Sequence, residues 1–443
     1  MERTVTLALL LFGLVLGAAS AQTETVLYNF CHSTNCPDGA LPYAGVVFDQ
    51  QGNLYGTTSS GGNDGPNCYG YGGCGVVFKL TPDGQETVLY TFCAQNNCTD
   101  GSSPDAGLIF DRKGNLYGTT YGGGNSSGCS GGCGVVFELT PEGKESVLYS
   151  FCAKNNCADG ALPLSALLFD QKGNLYGTTV GGGSSKCPGG CGVVFSLTPK
   201  GKETALYTFC TQSNCADGSV PVAGLVFDKE NNLYGTTETG GNAGCSSVGQ
   251  GCGVAFKLTL KGKQTILHRF CEKAGCTDGA NPAAGLVFDQ RGNLYGTTLW
   301  GPAAGRCRDG SGCGLVFRLS PKGKETVLHT FCTHSHGNGC PDGANPAASL
   351  LLDQMGSMYG TTVAGGSSTI CSPDIGCGTV FKLTPNKKET VLHSFCTQQN
   401  CPDGVFPKGS LTFDQEGNLY GTAEGGVPGF GVVFEITPAL ALN

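Results

Sequence analysis

Short apolar runs rich in Val, Phe, Leu and Tyr alternate with glycine-rich and polar turns along the whole chain. In one stretch, Ala106–Asp111 (AGLIFD) meets a turn at Asp111-Arg112-Lys113-Gly114 and then a second run, Asn115–Thr120 (NLYGTT). A Gly/Cys-rich loop passes through Cys133 to Val135–Thr140 (VVFELT), and a tight turn at Pro141-Glu142-Gly143-Lys144 leads to Ser146–Phe151 (SVLYSF). The runs are β-branched and aromatic, turn residues recur between them, and no segment sustains a helical period. Each run is therefore expected to be a strand, and the four together an antiparallel meander.

The meander repeats. Tyr-Gly-Thr-Thr marks Tyr55–Thr58, Tyr117–Thr120, Tyr176–Thr179, Tyr234–Thr237, Tyr295–Thr298, Tyr359–Thr362 and, as Tyr-Gly-Thr-Ala, Tyr420–Ala423, at a period of about 60 residues. Seven such units point to an all-β, seven-bladed β-propeller of four-stranded antiparallel blades, because radial closure protects the edges an open stack would expose. A β-helix is the other architecture that such a period allows. The ends favour the wheel. Glu24–Phe30 (ETVLYNF) matches a fourth strand and Val432–Thr437 (VVFEIT) a third, so the N-terminal strand is expected to pair with the C-terminal blade and close it.

The 26 cysteines fall into close pairs. One set is Cys31/Cys36, Cys93/Cys98, Cys152/Cys157, Cys210/Cys215, Cys271/Cys276, Cys332/Cys340 and Cys396/Cys401. The other is Cys68/Cys74, Cys129/Cys133, Cys187/Cys191, Cys245/Cys252, Cys307/Cys313 and Cys371/Cys377. The last unit lacks both members of its second pair, at Val427–Gly431, as bonded partners would. Neither set has C-x-x-C spacing or regular histidine companions, so a disulfide framework is expected rather than zinc. Because strand direction alternates, both kinds of cysteine loop should lie on one face, and the tight D-x-x-G-N and T-P-x-G-K turns on the other. The bridges are expected to stiffen irregular loops more than to decide the fold.

Residues 1–21 read as a signal peptide: Arg3, an apolar core at Val5–Ala18, and an Ala19-Ser20-Ala21 cleavage site. The single propeller domain should then occupy residues 22–443 and be secreted, to the extracellular space or to a periplasm. No cysteine follows the cleavage site to carry a lipid, and no later apolar run is long enough to insert in a membrane. Charged residues are 14% of the chain, against a usual share of about 25%. The net charge of −8 has no basic cluster beside it, and with a pI near 5.3 that excludes nucleic acid as the partner class. A monomer is expected.

The succession Gly-Leu-Val-Phe-Asp, Gly-Asn-Leu-Tyr and Phe-Lys-Leu-Thr-Pro-x-Gly-Lys resembles NHL-type propeller repeats. It resembles more closely the bacterial tandem repeats called GloVer, found in exported choice-of-anchor proteins, with Gly114–Thr120 and Gly134–Lys144 carrying the match. That resemblance implies a propeller and an exported protein, and brings no catalytic residue with it. Relatives carry varied anchors; none follows here before Asn443, so release is expected.

Candidate chemistry comes in two kinds. Asp38, Asp100, Asp159, Asp217, Asp278, Asp342 and Asp403 each precede a glycine in the blade-to-blade loop. Together they could form a carboxylate ring able to hold calcium, but a feature repeated in every unit more readily serves the unit, as an Asx turn. Departures from the repeat are the other kind. Trp300, the sole tryptophan, shares a cysteine loop with Arg306, Arg308 and Asp309, where an exposed indole and guanidinium groups suit a sugar ring or an anion. Tyr69, Tyr71 and Tyr121 lie in or near the corresponding loops of the first two units, and such aromatics also serve to cover glycine-rich backbone. His334 and His336 alternate in a lengthened loop without an evident third metal ligand. His268, His329 and His393 replace a fourth-strand tyrosine and are expected to be semi-exposed. Ser130 fits G-x-S-x-G only formally, since its cysteine-bounded loop is not a strand–turn–helix elbow.

Two functions follow as expectations. The first is a binding or scaffold module whose cysteine-loop face engages a glycan or extracellular protein. The second is an extracellular polysaccharide hydrolase or lyase with its site on that face. An enzyme would gather unique acids, bases or metal ligands from adjacent blades, and the scattered departures above lean away from catalysis.

Overall fold

The computed structural model describes residues 23–437 apart from 63–67, 69–71, 242–250, 303–306, 308–311, 334–338, 372–375 and 427–428. The expected signal peptide lies outside them. Seven four-stranded antiparallel sheets form the blades. In blade 1 the strands are Val47–Phe48, Leu54–Thr58, Val76–Leu80 and Glu86–Thr91, in spatial order. Blades 2 to 6 repeat that order. Blade 7 takes Thr412–Phe413, Leu419–Ala423 and Val432–Thr437 from the C-terminal region and Thr23–Asn29 from the N-terminal one. Thr23 pairs with Thr437 and Asn29 with Val432, so the first described strand seals the last blade.

The core lies in the seams between blades. In each seam a buried phenylalanine after the fourth strand meets the third-strand phenylalanine of the next blade at 5.0 to 5.3 Å, as in Phe92–Phe137 and Phe395–Phe434. Most of these contacts are edge-on, the arrangement aromatic quadrupoles prefer. The repeated Tyr-Gly-Thr-Thr follows from this packing. A Cβ on Gly118 would lie 2.6 Å from the Phe137 ring, so only glycine leaves room for that ring. The first threonine then reaches across the inner seam: Thr57 Oγ1 donates to Ala106 O (3.1 Å), Thr178 to Ala223 O (3.1 Å) and Thr236 to Ala284 O (3.0 Å). Thr422 of blade 7 donates to Ala44 O of blade 1 at 2.8 Å, so the inner ring closes as the outer strand does.

The innermost strand is shorter than the sequence suggests: Ile109–Phe110 rather than Ala106–Asp111. Ala106 and Gly107 instead line the central channel, where Ala106 O serves the neighbouring blade's threonine rather than its own sheet. Among the described residues there is no α-helix, only single 3-10 turns such as Asn96–Cys98 in blade-to-blade loops. No helix there is long and apolar enough to cross a membrane.

Twelve of the thirteen expected disulfides join described residues. In the loops that enter blades 1 to 7 these are Cys31–Cys36, Cys93–Cys98, Cys152–Cys157, Cys210–Cys215, Cys271–Cys276, Cys332–Cys340 and Cys396–Cys401. Between the second and third strands they are Cys68–Cys74, Cys129–Cys133, Cys187–Cys191, Cys307–Cys313 and Cys371–Cys377. Cys252 is disulfide-bonded as well, and Cys245 lies outside the described residues.

The cysteines sit deeper than loop stiffening alone requires. Cys36 is buried with Cys31 and Ala40, against Leu41 and Phe430. Cys377 is fully buried in a cluster with Cys396 and Val432, and the half-buried Cys401 packs on it. Their carbonyls also fix the turns that follow: Gly39 and Gly62 donate to Cys36 O at 2.9 and 2.8 Å, Phe406 N to Cys377 O at 2.8 Å, and Gly404 N to Cys401 O at 3.0 Å. Besides stiffening their loops, the buried cystines extend the core outward. The two sets meet where one blade passes to the next. The four sulfurs of Cys187, Cys191, Cys210 and Cys215 lie within 4.8 Å of one another, as do those of Cys307, Cys313, Cys332 and Cys340. Both kinds of cysteine loop therefore share one face, and so many disulfides fit an oxidising compartment.

Candidate functional site at the channel mouth

The repeated aspartates organise the cysteine-loop face. Asp100 accepts from Tyr90 Oη (2.8 Å), Ala94 N (2.9 Å) and Gln95 N (3.3 Å). Asp159 and Asp217 make the corresponding bonds from Tyr149 and Tyr207. Asp38 accepts from Tyr28 Oη and Cys31 N, both at 2.9 Å. In the other three blades a histidine takes the tyrosine's place: His268 lies 3.6 Å from Asp278, His329 3.3 Å from Asp342 and His393 2.8 Å from Asp403. These histidines are partly exposed, as expected, and His393 Nε2 makes a hydrogen bond to its aspartate at 2.8 Å. Burial lowers the His268 pKa. Each of the seven aspartates accepts from a backbone N–H of its loop and so anchors the disulfide loop, with Asp38 doing so through Oδ2 alone. Asp49 works likewise in its turn, accepting from Gln51 N, Asn53 and Tyr55 Oη.

Sevenfold regularity breaks elsewhere. Each blade-to-blade loop ends in a proline preceded by a residue with positive φ, such as Leu41 (59°) before Pro42, which turns the chain toward the axis. The residue after that proline is Leu164, Val222, Ala283 or Ala347 in blades 3 to 6, and all four line the channel. In blades 7, 1 and 2 it is Lys408, Tyr43 and Asp105, three consecutive blades around the ring. The cavity they border is about 360 Å³, walled by Ala, Gly and Ser backbone from all seven blades.

These residues are coupled. Lys408 Nζ forms an ion pair with Glu424, which follows the second strand of blade 7, and sits 4.7 Å from the Tyr43 ring centroid. That is cation–π distance. Asp105 is half-buried, and its Oδ1 is buried without a hydrogen-bond partner. Burial pushes its carboxyl up to about 6, against the opposing pull of a Ser59 hydrogen bond and the Lys408 charge. A carboxylate, an aromatic ring and an ammonium lining one cavity can respectively accept from a hydroxyl, present a face to a sugar's C–H bonds, and donate to an oxygen.

The residues singled out from the sequence fare differently. Trp300 is half-buried, packed against the core cluster that contains Ala280, Leu286 and Phe317, and its backbone pairs with Ala280. Tyr121 is exposed at the rim. Tyr69, Tyr71, Arg306, Arg308, Asp309, His334 and His336 lie outside the described residues. Sequence reasoning passed over Tyr43, Asp105 and Lys408, which lie outside the cysteine loops where asymmetry was sought. Aligning the seven residues that follow the loop prolines would have found them.

The family model described as the Gloeobacter/Verrucomicrobia repeat matches residues 17–249 and 245–442. No curated protein sequence matches the chain. Among solved structures, one described provisionally as a gluconolactonase is similar at 12% identity and a TM-score of 0.40, covering 94% of this chain and 92% of that one. A luciferin-regenerating enzyme is similar at 14% identity and a TM-score of 0.41, covering 75% of this chain and 91% of that one.

Proposed function

The chain belongs to the Gloeobacter/Verrucomicrobia repeat family, and from that premise we propose an exported, disulfide-bonded propeller that binds the end of an extracellular glycan in the axial mouth of its cysteine-loop face. One observation carries the reading: the symmetry-breaking Lys408, Tyr43 and Asp105 converge from consecutive blades on one cavity. Its volume of about 360 Å³ falls in the range of small-molecule sites, roughly 300–1,000 Å³. Walls on every side admit the end of a chain and exclude its middle. Asp105 supplies the acceptor for sugar hydroxyls, Tyr43 an apolar face, and Lys408 a donor held by Glu424. Export is supported by Arg3, the Val5–Ala18 core and the cleavage site at Ala21, together with the disulfides.

The mature protein, from Gln22, is to be screened against immobilised glycans, scoring retention and released product separately. Retention, competed by short oligosaccharides carrying the same terminal sugar, is the expected result. Asp105→Asn should weaken it by about tenfold or more, since a hydrogen bond to a charged group contributes about 1.5–3 kcal/mol. Absence of retention on every glycan, or undiminished binding by Asp105→Asn, overturns the reading.

A second reading rests on the same carboxyl. An acid held near 6 by burial is suited to general acid–base work in a hydrolase or lyase. Released product that disappears in Asp105→Asn would favour it over simple binding.

A further inference from the structure

Six of the seven blade seams bury a second carboxyl that the axial mouth does not use. At the start of the fourth strand stand Glu24, Glu86, Glu145, Glu203, Glu325 and Glu389, with Gln264 at the same place in blade 4. All six glutamates have a buried Oε1 without a hydrogen-bond partner. A repeated orphan of this kind needs a physical reason.

Gln264 supplies it. Its Nε2 donates to the backbone oxygen of Asp217 at 2.8 Å, and its Oε1 accepts from Tyr207 Oη at 2.9 Å. A carboxylate has no hydrogen to give such an acceptor, whereas a carboxylic acid has one. The aspartates beside four of the glutamates point the same way. Glu86 faces Asp38 and Tyr28, Glu145 faces Asp100 and Tyr90, Glu389 faces His329 and Asp342, and Glu24 faces His393 and Asp403. Glu203 and Glu325 differ, because Lys154 and Lys273 reach their Oε2 atoms at 2.6 and 2.7 Å while Asp159 and the His268–Asp278 pair lie alongside.

We propose that Glu24, Glu86, Glu145 and Glu389 hold buried protons in the folded propeller, making four of the seven blade seams pH-sensitive joints that loosen as the medium turns alkaline. Burial, with the neighbouring aspartate adding to it, pushes Glu86 and Glu145 up to about 7. Burial also pushes Glu389 up to about 7 and raises Glu24, with the nearby histidine opposing and the aspartate assisting. A glutamate that binds its proton more tightly folded than unfolded stabilises the fold fully below its ordinary range. That stabilisation is lost as pH rises through about 7.

The test is the melting temperature of the disulfide-intact full chain between about pH 5.5 and 8.5. Wild type should lose several degrees across that interval. The triple variant Glu86→Gln/Glu145→Gln/Glu389→Gln should lose most of that fall, with Glu24 keeping the remainder, because each amide has the hydrogen that Gln264 Nε2 gives a backbone oxygen. Gln264→Glu should steepen the fall. Infrared spectra give an independent readout: a protonated-carboxyl band present in acid, lost toward alkaline pH, and weakened in the triple variant. A flat wild-type profile, a slope that survives the three substitutions undiminished, or a triple variant that fails to fold would each overturn the proposal.

Discussion

One carboxylate oxygen, Asp105 Oδ1, distinguishes blade 2 from the blades that carry leucine, valine or alanine at the same position. Its environment fixes a pH dependence opposite in sign to that of the seams. Ligand binding needs the ionised acceptor, so glycan retention should weaken as pH falls through about 6, and a retention titration checks this. Gly118 illustrates the other role a residue takes here, since a methyl group there would enter the Phe137 ring. Gly118→Ala should destabilise by about 1–3 kcal/mol in a denaturant melt, the usual cost of overpacking. At this scale the sequence speaks where chemistry is repeated. The structural role of the loop aspartates was legible because all seven blades carry one. The role of His268, His329 and His393 was not, because nothing in a linear sequence says that histidine and tyrosine reach the same aspartate. The channel-mouth residues escaped for a related reason: Tyr43, Asp105 and Lys408 lie 62 or more positions apart along most of the chain and become neighbours only when the ring closes.

At the level of elements, the second-strand cysteine loop of a blade backs onto the loop leading into the next, as Cys187–Cys191 backs onto Cys210–Cys215, so the two disulfides stiffen one another's loops. The closed loops are short. Chain-entropy reasoning gives about 2 kcal/mol for a loop of about five residues, before any strain. Cys187→Ser/Cys191→Ser should therefore cost at most about 2 kcal/mol from lost cross-linking in a denaturant melt and leave the blade folded. Strand order, turn positions and cysteine pairing were all readable from the unit, because each is set by local residues. The depth of the cystines was not, since Cys377 and Cys401 meet only when the second-strand loop of blade 6 packs beneath the loop that leads into blade 7. The length of the innermost strand was hidden too. Ala106 O is claimed by Thr57 of the preceding blade, a contact decided by the packing of two blades and invisible in one.

The whole molecule depends on joining its ends. Thr23–Asn29 supplies the outer strand of blade 7, and Thr422 bridges that blade to Ala44 on the inside. Deleting residues 23–29 would leave Val432–Thr437 as a bare apolar edge. The deletion should lower the melting temperature more than any single substitution above and promote aggregation, followed by scattering during the melt. Closure also creates the only setting in which Lys408, Tyr43 and Asp105 share a cavity, since blade 7 and blade 1 meet nowhere else along the chain. The most direct measurement is a crystal structure of the propeller with an oligosaccharide retained in the glycan screen. The expected result is a terminal sugar on the axis, with a hydroxyl on Asp105 Oδ1 and its ring against Tyr43. Density for the sugar on the outer rim or the flank of a blade, with the axial cavity empty, would contradict it.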